Sequence, residues 1–189
     1  MSSIQEKWDA AYSQPRGELK AATVLQQNQF LLPAEGRALD LACGLGANSV
    51  LLAKAGLKVD AWDLSPVAIE QLQQQATNED LTIYPQVHDV IQSPPKLNSF
   101  DVIVVSFFLD RALCCSLVAA LKPGGLLFYQ THCQQKVTQQ GPSNPDYLLA
   151  DNELLVLFSE LKVRVYSDNS LLGNHQQGLR NQAFLIAEK

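Results

Sequence analysis

With 189 residues, 47% hydrophobic and 17% charged, the chain can bury a sizeable core and is too apolar to be disordered. A net charge of −5, with no block of lysine and arginine (Lys162 and Arg164 read as one solvated strand face), argues against nucleic acid or another polyanion as partner. No apolar run approaches the roughly 18 residues of a membrane span, no secretory signal opens the chain, and Cys43, Cys114, Cys115 and Cys133 lack CxxC spacing, so reduced thiols and a cytoplasmic location are expected.

Residues 4–12 and 19–32 read as helices, an N-terminal cap (1–35) on a core at 36–189, the two forming one domain. The first strand is 37–42, followed by a glycine-rich turn and a helix that starts after Gly46 and stops at Gly56. A second strand at 58–62 leads to Ser65 and Pro66, suited to the N-cap and first position of a helix reaching about residue 76. Strands at 81–87 and 100–105, a helix at 111–121 and a strand at 126–130 follow. Beyond a polar loop at 134–145 come a helix (152–160), a strand (162–166), a second polar loop (167–178) and a last strand (181–188). Two strands joined by a loop alone favour antiparallel pairing. The expected fold is α/β: a doubly wound, seven-stranded, mostly parallel sheet with an antiparallel terminal strand.

The chemistry concentrates in Asp40-Leu41-Ala42-Cys43-Gly44-Leu45-Gly46-Ala47-Asn48-Ser49. A strand that ends in a glycine turn and opens a helix lets backbone approach a ligand at the strand's carboxyl end. Asp63 follows Asp40 by 63 − 40 = 23 residues, at the end of the second strand, where a carboxylate on the cleft surface accepts both hydroxyls of a ribose. A dinucleotide fingerprint wants glycine where Ser49 stands, and an acid at Asp40 would repel a pyrophosphate while suiting an amino or sulfonium group. The pattern fits a cationic, phosphate-free adenosine derivative.

These residues resemble the class I S-adenosylmethionine-dependent methyltransferases over nearly the whole chain. Asp40-x-x-x-Gly44-x-Gly46 is similar to the family's first motif, with Ala42 where a glycine often stands. His88-Asp89-Val90, Phe100-Asp101-Val102-Ile103 and Leu121-Lys122-Pro123-Gly124-Gly125 match later motifs in order. The resemblance implies S-adenosylmethionine as cofactor. Gly44 and Gly46 then back onto the methionine part, Asp63 meets the ribose, Leu64 lies along the adenine and Asp89 meets its amino group. Asp40, Asn48, Val90 and Ser106 complete the expected cofactor set. Trp8-Asp9-x-x-Tyr12, Val59-Asp60-Ala61-Trp62-Asp63 and Glu153-Leu154-Leu155 are most similar to the small tellurite-resistance-type methyltransferases. That branch implies a small acceptor, a chalcogen oxyanion or a thiol, and a catalytic His and Arg between the last two strands, for which His175 and Arg180 are the nearest matches.

Other candidates carry structural readings beside functional ones. Asp110-Arg111 could orient an acceptor or pair locally. His132-Cys133 sits at the active end of the sheet, but no third ligand is spaced for a metal, and none is expected. Cys43 reads as packing, His88 as a satisfied structural histidine, and Trp8 with Tyr12 as one helix face that lids the cofactor or packs on the sheet. A nicotinamide-dependent oxidoreductase and a non-catalytic adenosyl-ligand-binding protein stay open as alternatives.

Overall fold

The computed structural model describes residues 3–15 and 17–189. Seven strands form one sheet in the order β3-β2-β1-β4-β5-β7-β6. They are β1 (Arg37–Leu41), β2 (Lys58–Asp63), β3 (Ile83–Val87), β4 (Phe100–Ser106), β5 (Leu121–His132), β6 (Lys162–Asp168) and β7 (Gln182–Glu188). The first five pair in parallel, and β7 runs antiparallel to both β5 and β6. The helices are α1 (Ser3–Tyr12), α2 (Thr23–Gln27), α3 (Ala47–Lys54), α4 (Pro66–Asn78), α5 (Cys114–Ala120) and α6 (Glu153–Leu157). Among the described residues, no helix is long and apolar enough to cross a membrane.

Central strands are apolar on both faces because both faces are covered. Val102 and Val104 of β4 join a core with Val24, Leu52 and Leu72 from α2, α3 and α4. Ile103 and Val105 point the other way, toward Leu117 and Leu154 from α5 and α6. The period of two along the strand thus places helices on opposite sides of the sheet. Pro85, which has no N–H to donate, lies on the edge strand β3, where the loss leaves no inner ladder broken.

Several boundaries differ from the sequence expectation. The helix expected over 19–32 shrinks to α2 and a 3₁₀ turn at Gln29–Leu31. It starts late because the Ala22 and Val24 amides are taken by side chains from elsewhere in the chain, Asn48 Oδ1 at 2.8 Å and Gln130 Oε1 at 2.7 Å. It stops early because Asn28 Nδ2 donates back from its side chain to the Val24 carbonyl at 2.8 Å. Before α5, residues 111–113 form a 3₁₀ turn, its amides capped by Asp110. Strand β5 begins five residues earlier than expected, at Leu121, which pairs with Phe100 ahead of a register shift; Gly124 takes a left-handed φ of 77° there.

Candidate active site

The glycine turn at the carboxyl end of β1 is left-handed at three positions, with φ of 54° at Ala42, 52° at Gly44 and 80° at Gly46. Such angles favour glycine, and Ala42 holds one in spite of its Cβ. Asp40 is fully buried in β1. Ser49 Oγ donates to its carboxylate at 2.6 Å, and Asn48 Nδ2 approaches at 3.4 Å. Burial raises its pKa to about 6 against the pull of those two partners. The same Asn48 Nδ2 donates to Ser106 Oγ at the end of β4, at 2.9 Å. Asp40, Asn48 and Ser106 are therefore brought together, with the Asp40 oxygens facing α3.

Asp63 closes β2. Its carboxylate accepts the Gly44 amide at 2.8 Å and the Ser65 amide at 2.9 Å, which ties the glycine turn to the start of α4. With 7% of its surface accessible, it is more enclosed than the cleft-surface position expected from sequence, because it caps two backbone donors. Burial pushes its pKa up, against those amides. The His88 amide donates to the Asp63 carbonyl at 2.8 Å, so the ends of β2 and β3 are adjacent. Leu64, His88 and Asp89 gather beside Asp63. Asp89 Oδ1 caps the Ile91 and Gln92 amides at 3.0 and 3.2 Å, whereas the Val90 side chain belongs to the core. His88 stacks on Trp62 with ring centroids 4.1 Å apart and bonds the Ser93 carbonyl at 2.7 Å.

Helix α1 lies across the glycine turn. A Cβ on Gly44 would stand 2.8 Å from the Tyr12 hydroxyl, Trp8 stacks on Tyr12 at 5.7 Å, and Ser65 Oγ donates to Asp9. On the other flank of the turn, a Cβ on Gly46 would collide with Leu72.

His175 and Arg180 lie apart from this group. The Arg180 guanidinium donates to the carbonyls of Asn169, Ser170, Asn174 and Gln177, all in its own loop, and a His175 ring nitrogen pairs with the Leu171 carbonyl at 2.7 Å. Their loop nevertheless enters β7 beside the end of β5, since Gln182 pairs with His132. Arg111 does not pair with Asp110. It holds Glu153 at 2.6 Å and the carbonyls of Asp146 and Leu148. Cys43 and Cys133 are buried, and burial pushes the Cys133 thiol up to about 12. Among the described residues no three metal-ligating side chains converge.

Sequence reasoning missed Gln130. It is 1% exposed, accepts from Val24 and donates to Gln182 Oε1 at 2.6 Å. A polar residue inside an otherwise apolar strand was the available signal.

Residues 38–125 match the model of a family described as a methyltransferase domain. A putative methyltransferase, YqeM, from Bacillus subtilis is 28% identical over 130 residues, covering 60% of this chain and 49% of its own. A ubiquinone biosynthesis O-methyltransferase from Actinobacillus pleuropneumoniae is 30% identical over 143 residues, covering 67% and 61%. TehB from Haemophilus influenzae superposes with a TM-score of 0.71 at 22% identity, covering 98% of this chain and 66% of TehB, a likeness of fold. The chain spans about half the length of the first curated relatives it matches, 49% and 55%. With the acid-bridged glycine turn at the end of β1 and the motifs that follow it in order, these matches identify residues 38–125 as a methyltransferase domain with S-adenosylmethionine as its cofactor.

Proposed function

We propose that the chain transfers a methyl group from S-adenosylmethionine to a small-molecule acceptor, with no nucleic-acid partner. The observation that carries this reading is the Asp63–Gly44 hydrogen bond, which couples the acid suited to a ribose to the turn suited to the methionine part. The residues fit the cofactor. A carboxylate offers about four lone-pair sites, so Asp63 can cap Gly44 and Ser65 and still accept from two hydroxyls. Leu64 and Asp89 border the adenine side, and the Asp40–Asn48–Ser106 group underlies the methionine side. When bound, the cofactor supplies an electrophilic methyl group on a sulfonium. The chain's own work is to orient an acceptor and exclude water, since an in-line displacement gains mainly from positioning. The carboxyl ends of β4 and β5 hold the acceptor. His175 and Arg180 act at its rim, where Arg180 orders the loop that enters β7. A thiol or chalcogen oxyanion suits the tellurite-type resemblance, and a relative named for O-methylation widens the acceptor class to hydroxyls.

A thermal-shift series tests the reading. S-adenosylmethionine and S-adenosylhomocysteine at 100 times their dissociation constants should each stabilise by about 2.7 kcal/mol. NAD and NADP should do nothing. Stabilisation by NAD alone would favour the oxidoreductase, and cofactor binding without turnover on an acceptor panel would favour a binding protein.

The ribose contact has its own test. Asp63→Ala should weaken S-adenosylmethionine binding by about 1.5–3 kcal/mol, the range for hydrogen bonds to a charged group. It should also lower stability by about 1–3 kcal/mol, because the buried Gly44 and Ser65 amides lose their acceptor. A calorimetric dissociation constant within about twofold of wild type removes Asp63 from the ribose site.

A further inference from the structure

Three loops leave the carboxyl ends of β4, β5 and β6, at 107–113, 133–152 and 169–181, and rim the acceptor side. Phe107 opens the first, one residue past Ser106, whose hydroxyl meets Asn48 on the methionine side. Its φ of 57° is a conformation that a bulky aromatic side chain avoids. Strain of this kind persists where the surroundings enforce it, and here the Phe107 amide is pinned to the Gln130 carbonyl at 2.9 Å. The ring stays half exposed and rests against the His132 ring, with centroids 5.3 Å apart. Tyr147, also half exposed, belongs to the second loop. Two residues on, the Leu149 amide donates to the His132 carbonyl at 2.9 Å, so both aromatic residues flank the end of β5. In the third loop Leu171 and Leu172 are exposed, and Ser170 Oγ donates to Gln135, three residues past His132. Apolar side chains gathered on a surface in this way mark a binding site.

The same loops carry three lysines and arginines, and each is turned to acceptors of the protein itself. The Arg111 guanidinium donates to both Glu153 oxygens and to the carbonyls of Asp146 and Leu148, the backbone on either side of Tyr147. Arg180 donates to the carbonyls of Asn169, Ser170, Asn174 and Gln177, which bracket Leu171 and Leu172. Lys136 donates to the Pro142 carbonyl. A guanidinium has five N–H groups, so each arginine directs all but one of its donors into the fold. Asp110, Asp146 and Asp151 balance the three charges on these loops. An anionic acceptor would find no arginine fork open to it here. An apolar one would meet large side chains whose backbone those arginines hold in place, and contact area that is already ordered costs little entropy on binding.

We propose that the methyl acceptor is an uncharged thiol or phenol with an apolar body, which lies on Phe107 and Tyr147; this rests on the methyltransferase reading. The two rings select the body of the acceptor, not its reacting atom. The acceptor's sulfur or oxygen takes the methyl group, the carbon–sulfur bond of the sulfonium breaks, and the acceptor's proton leaves to water. The products are a methyl thioether or aryl methyl ether and neutral S-adenosylhomocysteine. Chalcogen oxyanions, charged and without an apolar body, fall outside this class.

Calorimetry on the S-adenosylhomocysteine complex tests the assignment with three probes: benzyl methyl sulfide, 2-(methylsulfanyl)ethanol and selenite. Benzyl methyl sulfide should bind about tenfold or more tighter than the small polar sulfide, roughly the effect of burying most of a phenyl ring, and selenite should not bind. Phe107→Ala and Tyr147→Ala should each weaken benzyl methyl sulfide about fivefold or more and leave 2-(methylsulfanyl)ethanol within about twofold. Tyr147→Phe, which keeps the ring, should match wild type. Both alanine variants should hold S-adenosylhomocysteine within about twofold of wild type, which shows that the fold survives. Tyr147 lies outside the core, so its variants decide the matter alone if Phe107→Ala does not fold. In turnover, phenylmethanethiol or 4-propylphenol should be methylated and selenite should not. Equal affinity for the two sulfides, binding or methylation of selenite, or a protein that binds S-adenosylhomocysteine yet methylates neither aromatic acceptor would each overturn the proposal. So would affinities unmoved in the alanine variants, the result expected of an apolar patch that docks on a membrane or another protein. Failure to bind S-adenosylhomocysteine at all would overturn the methyltransferase reading itself.

Discussion

Gly46→Ala is expected to destabilise the protein by about 2–5 kcal/mol, the sum of left-handed backbone strain and overpacking. The strain follows from φ of 80° at this position. The overpacking follows from the place of the new methyl group, 2.3 Å from Leu72 Cδ1, 2.6 Å from Cδ2 and 2.9 Å from Cγ. Leu72 has no exposed surface and lies in the core between α4 and the sheet, so it cannot swing away as a surface side chain would. Gly173 supplies the control. It has φ of 67° and nothing within 4 Å of the place a methyl group would take, so Gly173→Ala should show the strain alone, about 1–2 kcal/mol. Denaturant unfolding of both variants measures the difference. A Gly46→Ala loss no larger than that of Gly173→Ala would show that Leu72 does not confine the turn.

The second large effect is a dependence on pH. Asp40 titrates near 6 in the folded protein against an ordinary 3.8, chiefly because it is buried. The folded state therefore holds this proton more tightly than the unfolded chain does. Its contribution to stability is present in full below the ordinary value and is lost as pH rises through about 6. Two pKa units correspond to about 3 kcal/mol. Asp40→Asn cannot lose the proton, and its amide can still accept from Ser49. The stability difference between variant and wild type should grow in the variant's favour from pH 4 to pH 6 and stay level above. Taking the difference cancels Asp101, Glu79 and Glu153, all lowered, whereas Asp63, also raised, acts on Asp40 through its charge and contributes to the difference. Urea titrations at five pH values measure it, and a flat or inverted difference would show that Asp40 is ionised without penalty.

The succession of parallel strands along the chain was legible because each one carries its own local signal. A run such as Phe100 to Val105 is apolar throughout, and glycine, proline or serine punctuates the turns between runs. Asp40, Gly44, Gly46 and Asp63 were legible for the same reason, as residue types with a meaning at fixed spacing. What stayed hidden depends on partners distant in sequence. Nothing local to Ala22 or Val24 shows that Asn48 and Gln130 will take their amides, separated by 26 and 106 residues. Phe107 carries no sign of its left-handed backbone, because the Gln130 carbonyl imposes it from the neighbouring strand. The Arg111 side chain was open to an acceptor or to a local pair with Asp110, and Glu153, 42 residues later, holds it instead. Ser49, read as a missing glycine, is instead the hydroxyl that solvates a buried carboxylate.

The place of β7 has a consequence for assembly during synthesis. β6 joins the sheet only through β7, which follows it in the chain. As the chain emerges amino end first, β1 to β5 can pair while β6 is already outside and still has no neighbour. Until Gln182–Glu188 arrive, β5 offers an open edge from Leu126 to His132, with main-chain groups that any passing strand could engage. The strand made after β6 is thus also the guard of that edge. Nascent chains stalled before it should be the aggregation-prone species, and those stalled with it outside should not.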